Sequence, residues 1–564
     1  MKRIFGLLLV LLLVTPAVGT ITFASHTVEA TVTGSSTYFD GEEKNSNGFN
    51  IAGSNYFNLR DLARNFSGTP SQFNITWDPG NQAIEIVTGE VYSPKEMEDL
   101  YFSRSRTYTA TLSTSKVMID GVLQSIKSYN IEGNTYFQLR DLADKIPFEL
   151  SYDVQQNRLV MFSRTPDNAY RTSVSGEVEG NAESIYFPRW KGTVSSYLVN
   201  NSDGTVSVVE AGKQITIDTY NDKYELKATQ KIGYELPLFG GFYSGEKYNY
   251  IAFGQENREE NDSKEVIRIV RYDKSFNRMD SVSITGGQSY TVEPFDAGSG
   301  RMAESGDTLV FHTSRTRYTT EDKLNHQSQL TIIVNTSNMK VTNDLGRFQK
   351  NHVSHSFDQY VLFDAGSQVL VDHGDAYPRS VVLHKGNGMS YSEVDLFKIP
   401  GKIGANETGV SIGGVEMSSS SYIVAMNTVD HSLVKDYTSY EMVGLEKDQR
   451  DIILSVLPKS SINSSSVHTV TLAKYVGTDQ IASIPKLVRI SDHQMMVLWQ
   501  EFDTENHPGD VKYVLVDENG KAIDNIQTIK DFMLSECDPV AIGGNVVWYT
   551  NGHGSRMFYT IPMK

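Results

Sequence analysis

The sequence predicts a multidomain chain: two small α+β domains, each an antiparallel sheet plus one helix, and then an all-β domain built as a six- or seven-bladed β-propeller. Two observations predict this. Residues 39–63 and 119–143 match at 12 of 25 positions at an offset of 80. Beyond about residue 185, short apolar runs separated by polar turns recur to the end, and no long helical period competes with them.

The repeat reads FDGEEKNSNGFNIAGSNYFNLRDLA and IDGVLQSIKSYNIEGNTYFQLRDLA. Asp40-Gly41 and Asp120-Gly121 are hairpin signals. Leu59, Leu62, Ala63 and Phe66 fall at i, i+3, i+4 and i+7, the apolar face of a helix; Leu139, Leu142, Ala143 and Ile146 repeat it. Phe73–Trp77 with Ile84–Val87, and Phe148–Tyr152 with Leu159–Phe162, read as strands. The adjacent pair Arg60-Asp61, repeated as Arg140-Asp141, reads as structural, because neighbouring helix residues do not face each other.

These residues resemble a known family. The pattern YFxLRDLA, followed by an aromatic-rich strand ending in Asp, is similar to the copper amine oxidase N-terminal-like (stalk) domain. Residues 28–90 and 91–163 would be its two copies, 164–184 a linker and 185–564 the propeller-like domain. The resemblance implies a projecting, non-catalytic module of an exported protein. It implies neither copper nor oxidation: the Thr-x-x-Asn-Tyr-acidic-Tyr setting of a quinone cofactor and the His-x-His of the copper site are absent from the sequence. We therefore expect no amine oxidase activity and no cofactor.

Met1-Lys2-Arg3 and the apolar run Ile4 to Val14 read as a signal peptide, with cleavage expected after Ala24 (residues 1–24). A single cysteine, Cys537, rules out an intramolecular disulfide. An exported chain without disulfides suggests a bacterial source, secreted or wall-associated, with no membrane span once the signal is removed. Net charge is −17, which argues against nucleic acid. Cell-wall polymer, carbohydrate or another surface protein are the expected partners.

Several apolar runs of the second region turn over polar tetrads, as at Asp517-Glu518-Asn519-Gly520. A longer echo joins Phe295-Asp296-Ala297-Gly298-Ser299 to Phe363-Asp364-Ala365-Gly366-Ser367 at an offset of 68. Stacked β-sandwich domains are the alternative to a propeller. No Gly-x-Ser-x-Gly elbow, His-Glu-x-x-His or phosphate loop occurs.

Six of the twelve histidines lie between 312 and 384. The candidate ligand-binding residues are His312, Arg315, His352, His355, Asp372, His373, Asp375 and Arg379. A cluster of His, Asp and Arg suits acid–base work or an anionic ligand, and propeller loops would bring such residues together. No metal is assigned, since no pair has ligand spacing. The reading is a binding domain displayed on stalk domains; the alternative is a secreted enzyme acting on carbohydrate or wall polymer through carboxylates in the propeller mouth.

Overall fold

The computed structural model describes residues 27–563 except 41, 45, 95–101, 154–156, 177, 505, 553 and 554. The expected signal segment lies outside the described residues. The chain divides into two compact units, up to Arg164 and from Thr165. No helix among the described residues is long and apolar enough to cross a membrane.

In the first unit the two repeat copies are interleaved rather than set side by side. Six strands close a barrel. Thr27–Val32, Gly48–Ile51 and Ser54–Asn58 come from the first copy, and Asn134–Gln138, Ser128–Ile131 and Thr107–Leu112 from the second. At one junction Phe57 pairs with Phe137, and at the other Glu29 pairs with Thr109. Each meets its own counterpart 80 residues on, the self-complementary pairing of a two-fold contact.

The remaining strands cross between copies. Lys116–Ile119 of the second copy runs parallel to Ala83–Thr88 of the first, and Ser36–Phe39 runs parallel to Arg158–Ser163. The turn aspartates lock this exchange. Asp120 accepts from Thr88 N at 2.9 Å and Thr88 Oγ1 at 2.7 Å, and Asp40 accepts from Ser163 N at 2.8 Å and Oγ at 3.0 Å. The helices Leu59–Phe66 and Leu139–Ala143 drop Leu62, Phe66 and Leu142 into one core with Phe57, Phe137 and Phe148. Asp61 accepts from Asn47 N at 3.0 Å and Nδ2 at 3.1 Å, so it pins a neighbouring loop. The expectation of a purely antiparallel sheet within each copy is corrected: the barrel is antiparallel but built from both copies, and each of the two four-stranded sheets contains a parallel pair and strands of both copies.

The second unit is a run of four-stranded antiparallel meanders. The first spans Ser196–Asn200 to Leu226–Ile232, and the second Leu238–Ser244 to Arg278–Thr285. The third (Arg301–Ser305 to Lys340–Val341) and fourth (Ser354–Asp364 to Tyr391–Lys398) join through the single pair Ser328–Ser354. The fifth spans Val410–Met417 to His468–Ala473, and the sixth Lys486–Ser491 to Gln527–Ile529. The seventh takes Val540–Ile542, Asn545–Gly552 and Ser555–Pro562 from the C-terminus. Its outer strand, Ala169–Ser173, comes from the other end of the unit. Part of the expected linker is therefore a structural strand.

Because side chains alternate along a strand, each sheet has two faces to bury. Leu370 of the fourth sheet packs with Val310 and Ile333 of the third, while Val371 packs with Val424 of the fifth. The pattern repeats from sheet to sheet. Trp548 of the seventh meets Leu498 of the sixth, and Tyr549 and Phe558 meet Val208 and Tyr220 of the first. Each sheet buries both faces against different neighbours, and the last packs on the first, closing a ring. The Phe-Asp-Ala-Gly-Ser echo does not mark equivalent places. Residues 295–299 link Thr291–Pro294 to Arg301–Ser305, both of which pair with Thr308–Arg317 of the third sheet, and 363–367 form the first turn of the fourth.

Candidate functional site

The strand alternation that builds the ring also divides the expected His/Asp/Arg cluster. Asp372 and His373 are neighbours on Ser367–Tyr377 and face opposite ways. Asp372 points at the third sheet. Its Oδ2 lies 3.1 Å from His312 Nε2, its Oδ1 accepts from Ser356 Oγ at 2.6 Å, and Thr331 Oγ1 sits 3.0 Å from His312 Nδ1. His312 and Asp372 are fully buried.

On the other face, His373 is buried beside Phe357. Burial, reinforced by Arg379 and Arg450, lowers its pKa to about 3, so it stays neutral. Asp375 is fully buried and its Oδ1 lies 3.0 Å from His355 Nδ1. Arg379 gives Nε to Pro400 O at 2.8 Å and Nη2 to Glu407 O at 2.8 Å. Arg315 donates to the carbonyls of Gln329 and Gly346, each at 3.1 Å, and burial with Arg317 nearby brings its pKa down to about 9. His352 packs edge-on against Phe348, and burial lowers it to about 4. These eight residues do not converge on one open surface. Most are wedges between sheets, tied to carbonyls and to one another.

The open, charged site lies instead where the first strands of the sheets begin. Arg301 opens the third sheet, Tyr360 lies in the first strand of the fourth, and Ile412 and Gly413 in that of the fifth. Lys486 opens the sixth, and Glu536 and Asp538 precede the seventh. Together with Lys191, Thr193 and Val194 they enclose a cavity of about 190 Å³. Strand starts crowd together here. A Cβ at Gly413 would strike the Pro485 carbonyl, and one at Gly300 the Gly240 carbonyl, so glycine admits the close approach.

The lining is a set of ion pairs. Arg301 Nη1 donates to Asp538 Oδ2 at 2.6 Å, and its guanidinium stands 4.1 Å over the Tyr360 ring. Lys486 Nζ contacts Glu183 Oε1 at 2.9 Å and the Glu536 carbonyl at 3.0 Å, with Asp538 Oδ1 at 4.0 Å. Ser195 Oγ donates to Glu536 Oε1 at 2.5 Å. Burial by itself would raise the Asp538 pKa, but Arg301 and Lys486 outweigh it and hold the carboxyl below the usual range. Lys486 is likewise held above its ordinary value: burial opposes this, and Glu183 and Asp538 prevail. Asp538 keeps 43% of its side-chain surface accessible although it lies deep in the unit, because it faces the cavity.

A strap, residues 181–194, runs round this mouth. Ala182 bridges Ser535, and Ile185 N donates to Asn506 Oδ1 at 3.3 Å. Phe187 lies under Arg450 at 4.1 Å, and Arg189 pairs with Glu407 at 3.4 Å. Lys191 N donates to Phe357 O at 2.9 Å, and Thr193 Oγ1 to Gly298 O at 2.9 Å. The chain thus touches the seventh, sixth, fifth, fourth and third sheets in turn before entering the first.

No family model and no curated protein matches this chain. Among solved structures, a protein of unknown function from Dyadobacter fermentans is 10% identical, with a TM-score of 0.35 over 62% of this chain and 99% of that one. The α-L-arabinanase of Penicillium chrysogenum complexed with arabinobiose is 10% identical, with a TM-score of 0.31 over 69% of this chain and 98% of that one. BBS1N in complex with ARL6DN is 9% identical, with a TM-score of 0.32 over 68% and 98%. Likenesses this low carry no functional argument.

The cavity residues had no signal in the sequence. They are single positions, polar and apolar, scattered from 188 to 538, and only the ring brings them together. The His/Asp/Arg stretch was conspicuous because it is local.

Proposed function

We propose that the second unit is a seven-bladed β-propeller that binds a ligand at its axial mouth. In this reading the duplicated first unit is a non-catalytic stalk of an exported protein. Seven successive meanders that pack in a closed ring support the propeller, and so does the exchange of Ala169–Ser173 into the last sheet. The basic start and apolar run of residues 1–14 support export, and the repeat supports the stalk.

One observation favours binding over hydrolysis. Asp538, an accessible carboxylate of the cavity wall, is engaged by Arg301 and held below the usual carboxylate range. Glycoside cleavage needs two facing carboxyls, one of which keeps its proton until the leaving oxygen takes it. Asp538 does not suit that acid role, and Glu416, the neighbouring carboxyl that burial raises to about 7, does not line the cavity. The test is retention of wall polysaccharides by the purified full-length protein, with assay of newly released reducing ends. Retention without release is expected, and cleavage would overturn the reading. Sequencing the mature N-terminus checks export, with Ser25 expected first.

A further inference from the structure

We propose that the axial cavity holds one neutral, polyhydroxylated ring: a free monosaccharide or the terminal residue of a glycan. This rests on the binding reading above and names its ligand.

Size sets the first limit. The cavity measures about 190 Å³. A cavity of roughly 150 Å³ accepts one benzene ring, so this one takes a single ring and leaves no room for a second.

Charge sets the second. Three cations line the space, Lys191, Arg301 and Lys486, and two carboxylates, Glu536 and Asp538. A simple anion would meet Lys191 but also the accessible edge of Asp538. A simple cation would meet Asp538 but also three positive side chains. Arg301 and Lys486 already have carboxylate partners. Lys191 lines the cavity and has no ion pair or side-chain hydrogen bond among the described residues. The site thus offers an unused donor on the strap and an acceptor on Asp538. A sugar hydroxyl both donates and accepts, so adjacent hydroxyls satisfy Lys191 and Asp538 together without adding charge. Ile412, Ile484 and Val194 supply apolar wall for the ring's C–H face.

The experiment is calorimetric titration of the full-length protein with glucose, galactose, mannose, arabinose and N-acetylglucosamine. Glucuronate is the anionic counterpart and glucosamine the cationic one, and glutamate serves as an anion that also carries an ammonium group. At least one neutral sugar is expected to bind, and its charged counterparts more weakly. Lys191→Met is expected to weaken binding about tenfold or more, since it removes a charged hydrogen-bond donor. Its melting temperature should fall at most slightly: Lys191 makes no direct ion pair, and its charge offsets only part of the cost of burying Asp358. Capping the non-reducing ends of a retained glycan separates the two sources: lost retention marks a terminal residue, and unchanged retention with free-sugar binding marks a monosaccharide. Preference for glutamate, absence of any sugar binding, or unchanged affinity in Lys191→Met overturns the proposal. If polymer retention survives that result, only this inference falls; if retention is also absent, the binding reading falls with it.

Discussion

Arg556 Nη1 lies 3.2 Å from Asp218 Oδ2, with both side chains buried, and the pair stitches the last strand of the chain to the first sheet of the second unit. Arg556 also donates Nε to Asn551 Oδ1 at 2.9 Å and Nη1 to Tyr220 OH at 2.5 Å, with Glu210 Oε1 3.5 Å from Nη2. Burial raises Glu210, and Arg556 works against that rise. Removing the cation leaves two acidic groups in the seam with hydrogen bonds but no positive partner. Arg556→Met is therefore expected to cost about 3–5 kcal/mol in denaturant unfolding. A loss below about 1 kcal/mol would show that the seam does not depend on this charge.

The strand Ala169–Ser173 closes the same seam by backbone pairing, and Ala169 lies in the core shared by the sixth and seventh sheets. An aspartate there would bury a charge with no partner. Ala169→Asp is expected to destabilise the protein by more than about 2 kcal/mol. Tyr170 is 41% exposed, so Tyr170→Asp on the opposite face should cost much less. Equal losses in the two variants would mean that the strand does not seal the ring.

What the sequence made legible follows from burial. Runs such as Val546–Tyr549 and Tyr422–Met426 stood out because they sit inside middle strands, Asn545–Gly552 and Ser421–Thr428, which are covered on both faces. The outer strand Leu226–Ile232 is exposed over most of its length and reads as a polar stretch. Ala169–Ser173 was hidden in an expected linker because its partner lies nearly 400 residues away in sequence. The placement of the candidate site residues was hidden for a related reason. Spacing along one chain cannot reveal that Asp372 and His373 serve different sheet interfaces, nor that Lys191 and Asp538 share a cavity.

The repeat was legible as a repeat, but its interleaving was not, since identical halves pair equally well within and between copies. The parallel contacts Ser36–Phe39 with Arg158–Ser163 make each copy dependent on the other. Residues 28–90 alone are expected to remain unfolded or to dimerise with a second copy of themselves, whereas residues 27–164 fold as a monomer. Circular dichroism with sedimentation distinguishes these states. A cooperative, monomeric transition for 28–90 would refute the interdependence.

His373 gives the fold a specific acid sensitivity. Burial, with Arg379 and Arg450 adding to it, lowers its folded pKa from 6.5 to about 3. The unfolded chain therefore takes up a proton below about pH 6.5 that the folded chain refuses until about pH 3. Stability contributed by the neutral ring is present above pH 6.5 and falls as pH drops through that window, with a limiting slope of about 1.4 kcal/mol per pH unit for this one group. His352 and His431, each lowered to about 4 chiefly by burial, act in the same direction. His373→Gln keeps a neutral polar side chain and removes one of these protons. Its unfolding free energy should fall less steeply than that of the natural protein between pH 6.5 and 5, measured by urea titration at each pH. Parallel curves would place His373 outside the acid response.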